Sequence, residues 1–362
     1  MYNESINVLK TIEKNGFKAY VVGGFVRDKY LNRSSNDVDI CTNATPKELK
    51  EIFERVILKA VKYGSVSVIQ NKIRFEITTF RKDIGYLDNR IPKKVKYISN
   101  LSDDLKRRDF TINTICLDSS GNTIDLLGGI KDINNKVIKM IGNPKYRLKE
   151  DSLRILRAIR FATILDFELD SKLRIYIIKY GYLLKKLSYY HKKEELEKIF
   201  SSSNALKGIN LIKELCLASY LDLKNINNIV ITSSIIGIWA QLNVIDIYEF
   251  SSNEKELIKN INELSNKNIL ENYNLYHYGL YVSLIVGEIK NIDKKMIVLS
   301  YDLLPIKIRK DICISGKEIS KLLNKKEGIY LKNIITDLEI NILNNNLNNN
   351  LEEITKYILN KY

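Results

Sequence analysis

Histidine is nearly absent from this chain. His191 and His277 are the only two in 362 residues, which excludes a histidine-rich metal hydrolase centre. Cysteine is sparse as well. Cys41, Cys116, Cys216 and Cys313 are scattered with no Cys-x-x-Cys pair. That pattern excludes a disulfide framework and a zinc site, and the four read as buried thiols in a reducing cytoplasm. No run of about 18 apolar residues occurs, so no membrane span is expected. The opening MYNESINVLKTIEKNG is polar and amphipathic and lacks a signal-peptide core. The single tryptophan, Trp239, reads as core. Carboxylates fall short of cations, 43 against 58, leaving a net charge of +15. Such an excess suits a polyanionic partner, most simply nucleic acid. The abundance of Lys, Asn, Ile and Tyr also follows from an AT-rich coding sequence, so charge speaks to binding and not to fold.

What is there centres on residues 19 to 46, AYVVGGFVRDKYLNRSSNDVDICTNATP. The apolar run at 19–22 favours a strand. Gly23 and Gly24 follow; glycine reaches backbone angles closed to other residues and lets the main chain approach a ligand. Arg27 lies three residues further on, within reach of anything held there. Asp37 and Asp39 are separated by one residue, so on a strand both side chains leave one face. Two carboxylates side by side repel, and a divalent cation relieves them. Mg²⁺ prefers one or two carboxylates completed by substrate phosphates. Glycines and Arg27 for phosphate, with Asp37 and Asp39 for metal, spell metal-dependent nucleotidyl transfer. Each part alone is weak. Their order and spacing resemble the active-site signature of the polymerase-β-like nucleotidyltransferases, in the branch that holds class II tRNA CCA-adding enzymes and bacterial poly(A) polymerases.

The remainder falls into two regimes. Thr45-Pro46-Lys47-Glu48 carries a helix start. GSVSVIQ and IRFEITTF, joined by Asn71-Lys72, read as a hairpin. Glu76 on its second strand is either a polar-face residue or a third carboxylate beside Asp37 and Asp39. Residues 81–97 are charged and aperiodic and read as a loop. Asp83, Tyr86, Asp88, Arg90, Pro92 and Val95 resemble the flexible loop that follows this strand in CCA-adding enzymes. Arg107-Arg108-Asp109-Phe110-Thr111 and Asn113 match a second family motif, and paired arginines suit a triphosphate. Asp118, Gly121 and Asp125-Leu126 read as strand, turn and strand, and KVIKMIG as a last short strand. From Pro144 onward strand signals vanish. The expected fold class is therefore α+β. A nucleotidyltransferase head with a small mixed or antiparallel sheet (1–140) precedes a helical neck (141–200), body (201–300) and tail (301–362).

YRLKEDSLRILRAIRFATIL reads as one helix, with Asp151 and Arg154 three residues apart on one face. Adenine and cytosine each offer an amino donor beside a ring-nitrogen acceptor; guanine and uracil offer the reverse. A carboxylate beside a guanidinium matches the first pair and leaves polar groups unpaired against the second, the strong kind of discrimination. This stretch resembles the nucleotide-recognition motif of class II CCA-adding enzymes. The resemblance implies Gly24, Arg27, Arg108, Asp151, Arg154, Arg157 and Arg160 as nucleotide ligands, with Gly23 in the same turn, and Asp37 and Asp39 as Mg²⁺ ligands. One motif departs from the family. Glu195-Leu196-Glu197-Lys198-Ile199 is intact, but Tyr190-His191-Lys192 stands where a Glu-Arg-Ile is usual, and His191 reads as a partly exposed surface residue. The implied activity is addition of CCA to tRNA from CTP and ATP. The alternatives are a poly(A) polymerase, a partial enzyme adding only CC or only A, and a non-catalytic RNA-binding module.

Overall fold

The computed structural model describes residues 1–35 and 37–362, which divide into two compact units, Met1–Leu223 and Lys224–Tyr362. In the first unit, helix α1 (Tyr2–Lys14) buries Val8, Leu9 and Ile12 on one face. Each such side chain, fully buried, contributes roughly 1.5–3 kcal/mol. Strand β1 (Ala19–Val22) turns at Gly23 into α2 (Gly24–Tyr30), and β2 (Asp39–Thr42) follows. Helix α3 (Pro46–Ile52) starts with the expected capping box, Thr45 and Glu48 satisfying each other's backbone N–H. Next come β3 (Val56–Ala60), β4 (Ser65–Gln70), β5 (Ile73–Thr79), β6 (Arg81–Leu87), β7 (Ile91–Tyr97) and α4 (Leu101–Lys106). Then follow β8 (Cys116–Leu117), β9 (Thr123–Ile124), α5 (Gly129–Asn134), β10 (Val137–Ile138), α6 (Pro144–Glu150), α7 (Leu153–Leu165), β11 (Glu168–Leu169), α8 (Ser171–Tyr180), α9 (Tyr189–Phe200) and α10 (Ala205–Glu214).

Seven strands form one mixed sheet in the order β3-β4-β5-β2-β1-β8-β9. β2 and β5 pair in parallel, because α3, β3 and β4 supply the crossover such a pairing needs. The other described pairings in that sheet are antiparallel. Two registers matter for the site. Val22 pairs with Asp39, which brings the Gly23 turn level with that carboxylate, and Asp39 lies opposite Glu76. The α+β expectation holds, with a sheet-containing first unit and a helical remainder. The second unit runs α11 (Ile235–Leu242), α12 (Ser252–Leu264), α13 (Asn272–Lys290), α14 (Lys294–Asp302), α15 (Gly316–Leu322), α16 (Tyr330–Leu343) and α17 (Leu351–Lys361). Trp239 is fully buried against Tyr248 and Phe250, as core. Among the described residues no helix is long and apolar enough to cross a membrane.

Four expectations fail. Residues 81–97 are a two-stranded hairpin and not an aperiodic loop. Asp88 and Asn89 take the left-handed angles of its turn. One face is half-buried yet polar at Arg81 and Asp83, and the other is exposed yet apolar at Ile84, Leu87 and Ile91, so no alternation of polarity marks the strands. The single helix around residue 151 is two, α6 and α7. Asp151 is extended (φ −141, ψ 102), and its Oδ1 accepts from the Leu153 N–H at 3.1 Å, a capping bond that competes with helix. Asp151 and Arg154 therefore do not share a helix face. Strands also continue past Pro144, since β11 pairs in parallel with β10. Lastly, Cys41 and Cys116 are buried, but Cys216 and Cys313 are exposed.

Candidate active site

A cleft of about 640 Å³ opens where the Gly23 turn, β2, the 81–97 hairpin and α7 converge. At its floor Gly23 has φ 87, the left-handed region that favours glycine, and a Cβ there would lie 3.5 Å from Asp39 Oδ2. Asp37 and Asp39 are exposed and Val38 between them is buried, so the strand's alternation reaches back past its first residue and points both carboxylates into the cleft. The tip of Asp39 meets solvent, but the group is set deep among protein atoms. Burial pushes its pKa up and Arg108 pulls it down, while Glu76 and Asp37 add their repulsion to the rise. Glu76 stands beside Asp39 on β5 but does not line the cleft. It accepts from Ser67 Oγ at 2.7 Å and Arg74 Nε at 2.8 Å.

The facing wall is built of arginines, each braced by a carboxylate. Asp104 is fully buried and holds Arg107 Nε at 2.8 Å and Arg108 Nη2 at 3.2 Å. Burial would raise its pKa; the two guanidiniums and the Arg81 N–H bring it below the usual carboxylate range. Arg108 keeps its Nε buried and without a hydrogen-bond partner. Arg27 donates to Asn113 Oδ1 at 2.7 Å and pairs with Asp28. Arg157 grips Asp109 through both Nε and Nη2. Burial opposes ionisation of Asp109, yet Arg157, Asn113 and the Phe110 N–H hold its carboxyl well below the ordinary value. Asp151 lines the cleft and pairs with Arg90 of the hairpin turn at 3.1 Å. Arg154 reaches Glu150 at 3.2 Å and the Arg147 carbonyl at 2.8 Å.

The structure thus gathers Gly23, Gly24, Arg27, Asp37, Asp39, Arg108, Asp151, Arg154, Arg157 and Arg160 around one cleft and sets Glu76 outside it. Among the described residues no cluster of three or more Asp, Glu, His or Cys could hold a metal by itself. Two adjacent carboxylates with all-oxygen donors fit a hard divalent cation whose other ligands come from water or phosphate.

Comparison with known proteins identifies the family. Residues 19–139 match the Poly A polymerase head domain, and residues 240–358 match a putative tRNA nucleotidyltransferase domain 2. The CCA-adding enzyme of Anoxybacillus flavithermus is 32% identical over 390 residues, covering 99% of this chain and 97% of that one. That of Lactococcus lactis is 36% identical over 370 residues, with 94% and 92% covered. This chain belongs to the CCA-adding enzymes. The Bacillus stearothermophilus CCA-adding enzyme, solved in complex with CTP, superposes with a TM-score of 0.87 at 26% identity, covering 99% of this chain and 97% of that one.

As a CCA-adding enzyme the chain is a nucleotidyltransferase, and its departure at residues 190–192 has a structural answer. Arg160 on α7 pairs with Glu195 on α9 at 2.7 Å, both largely buried, so the intact part of the motif braces the helix. His191 is about one-third exposed and sits 3.4 Å from Glu194. Lys192 is buried and donates to the Tyr220 carbonyl at 3.3 Å.

Three residues with a part in this CCA-adding enzyme's cleft escaped sequence reasoning. Asp104 was legible as the acid four residues before Arg108. Phe161 was not; its ring receives the guanidiniums of Arg27, Arg157 and Arg160 at 5.0, 5.4 and 4.3 Å. Arg147 was hidden because, Glu150 apart, the carbonyls its side chain holds lie 39 and 40 residues away.

Proposed function

We propose that this chain adds CCA to the 3′ end of tRNA, using CTP and ATP as substrates and releasing pyrophosphate. The observation that carries the reading is one cleft holding both a carboxylate pair at a glycine turn and a carboxylate and guanidinium, Asp151 and Arg154, that can face a base edge. Relatives with this activity in their name are similar along nearly the whole chain. Arg27, Arg107 and Arg108 bind the triphosphate, their charge already turned toward the cleft. Asp151 accepts from the exocyclic amine of C or A, and Arg154 donates to the adjacent ring nitrogen. Both side chains have other partners in this structure, so reading a base requires those to be yielded. The 3′-hydroxyl oxygen of the RNA bonds to the α-phosphorus, its proton departs, and the bond to pyrophosphate breaks. Asp37 and Asp39 would hold Mg²⁺, which when bound lowers the pKa of that hydroxyl and stabilises the charge on pyrophosphate. The four unpaired thiols suit a cytoplasmic setting. The helical body and tail (201–300 and 301–362) take the tRNA.

The test is incubation of a tRNA lacking its 3′ end with each labelled nucleotide, singly and together. CTP alone should add two residues, ATP alone none, and both together three. Long A runs from ATP alone would assign a poly(A) polymerase instead. No Mg²⁺-dependent incorporation at all would leave a non-catalytic RNA-binding module.

A further inference from the structure

Arg147, on α6, joins two halves of the cleft that are distant in sequence. Its Nη2 donates to the carbonyl oxygens of both Arg107 and Arg108, the latter at 2.6 Å. Its Nη1 pairs with Glu150. Its own carbonyl accepts from Arg154 Nη1 at 2.8 Å. Arg154 closes the ring by reaching Glu150 at 3.2 Å and the Arg107 carbonyl at 3.3 Å. One residue therefore grips the backbone of the arginine pair with its side chain and the base-side arginine with its backbone.

The choice of arginine follows from the acceptors. Arg107 caps the C-terminal end of α4, where helix carbonyls lose their partners. A planar guanidinium holds two neighbouring carbonyls with one nitrogen and a carboxylate with another in a fixed fork; an ammonium has three donors radiating from a single nitrogen and cannot reproduce that spread. The side chain is 12% exposed, does not line the cleft, and leaves its Nε buried without a hydrogen-bond partner. That arrangement is costly for a cation. Holding α6 in place does not explain it, because Pro144 and Leu148 already bury the helix's inner face.

We propose that Arg147 is a positioning residue that sets the spacing between the phosphate-side pair, Arg107 and Arg108, and the base-side Arg154, making triphosphate grip and base choice one unit. This rests on the assignment of the cleft to nucleotidyl transfer.

The experiment compares wild type, Arg147→Met and Arg147→Lys. Calorimetry measures binding of inorganic tripolyphosphate, CTP and UTP with Mg²⁺. Thermal unfolding and affinity for a tRNA lacking its 3′ end are followed in parallel. Arg147→Met should weaken tripolyphosphate about tenfold and narrow the preference for CTP over UTP about tenfold, the scale of a small misplacement of binding groups. Its tRNA affinity should stay near wild type, and binding is measured well below an unfolding temperature that falls as two carbonyls and Glu150 lose their donor. Arg147→Lys should recover part of both losses, since it can serve one of the two carbonyls. The proposal is overturned if both readouts stay within about twofold of wild type, or if only one moves. Should Arg147→Met not fold, Arg147→Lys alone decides: both readouts shift together, or the proposal fails. If wild type binds tripolyphosphate and prefers CTP yet adds no CCA, the proposed function falls while this inference is still judged by the binding data.

Discussion

The two ends of the cleft are held by different forces. The carboxylate end is anchored by backbone ladders: Asp39 is registered against Val22 on one side and Glu76 on the other, and Gly23 turns beneath it. The end proposed for the base is held by side chains. Asp151 sits in a break between α6 and α7, clasped by Arg90 from the turn of a hairpin with one open face, and Arg154 rests on Glu150 and two carbonyls. Backbone ladders break only when the sheet unfolds, whereas a partly exposed ion pair is worth about 0–1 kcal/mol and exchanges readily. The first end suits chemistry common to every nucleotide added. The second suits a site that must hold a pyrimidine and then a purine.

The largest effect expected from this contrast is at the carboxylates. Asp37→Ala or Asp39→Ala should lower incorporation of C and A equally, by roughly 10³-fold or more, with tRNA binding intact. Unequal losses for C and A in single-turnover assays would break the comparison. At the other end, Asp151→Ala or Arg154→Ala should cost about 1–3 kcal/mol of discrimination per base contact, read as increased U and G incorporation in competition assays. Wild-type selectivity in both variants would move base selection elsewhere. The smallest effect is on stability. Asp109 is ionised against Arg157 with its carboxyl held below the unfolded value, so its contribution is complete above about pH 4 and fades as pH falls further. The gap in unfolding temperature between wild type and Asp109→Asn should therefore hold steady above about pH 5 and narrow progressively from about pH 4 down to about pH 2. A constant gap over that range would contradict the pairing.

The same contrast separates what was legible in the sequence from what was not. The carboxylate end depends on short-range features: a glycine doublet after an apolar run, and two aspartates one residue apart. Those spacings survive translation into structure because strand periodicity is local. The base end depends on contacts between residues 90 and 151 and between 147 and 108, and nothing local announces them. Asp151 was legible as a candidate cleft residue but not as a helix break, since helix periodicity runs straight through it while its local capping bond to Leu153 competes with that helix. Glu76 does lie opposite Asp39, but as a third carboxylate of the cleft it fails, because Ser67 and Arg74 hold it outside, partners visible only with the β4–β5 register.

The most direct test of a fixed chemical end and an adjustable base end is the hairpin. Residues 83–92 are replaced by a short Gly-Ser linker, removing Arg90 and its hold on Asp151. Two substrates are then assayed, a tRNA lacking CCA and a tRNA ending in CC. The account predicts that the first stalls at CC, with C addition within a few-fold of wild type, and that the second is barely extended with A, a loss of roughly tenfold or more. Equal loss of C and A addition, or no loss of either, would contradict it.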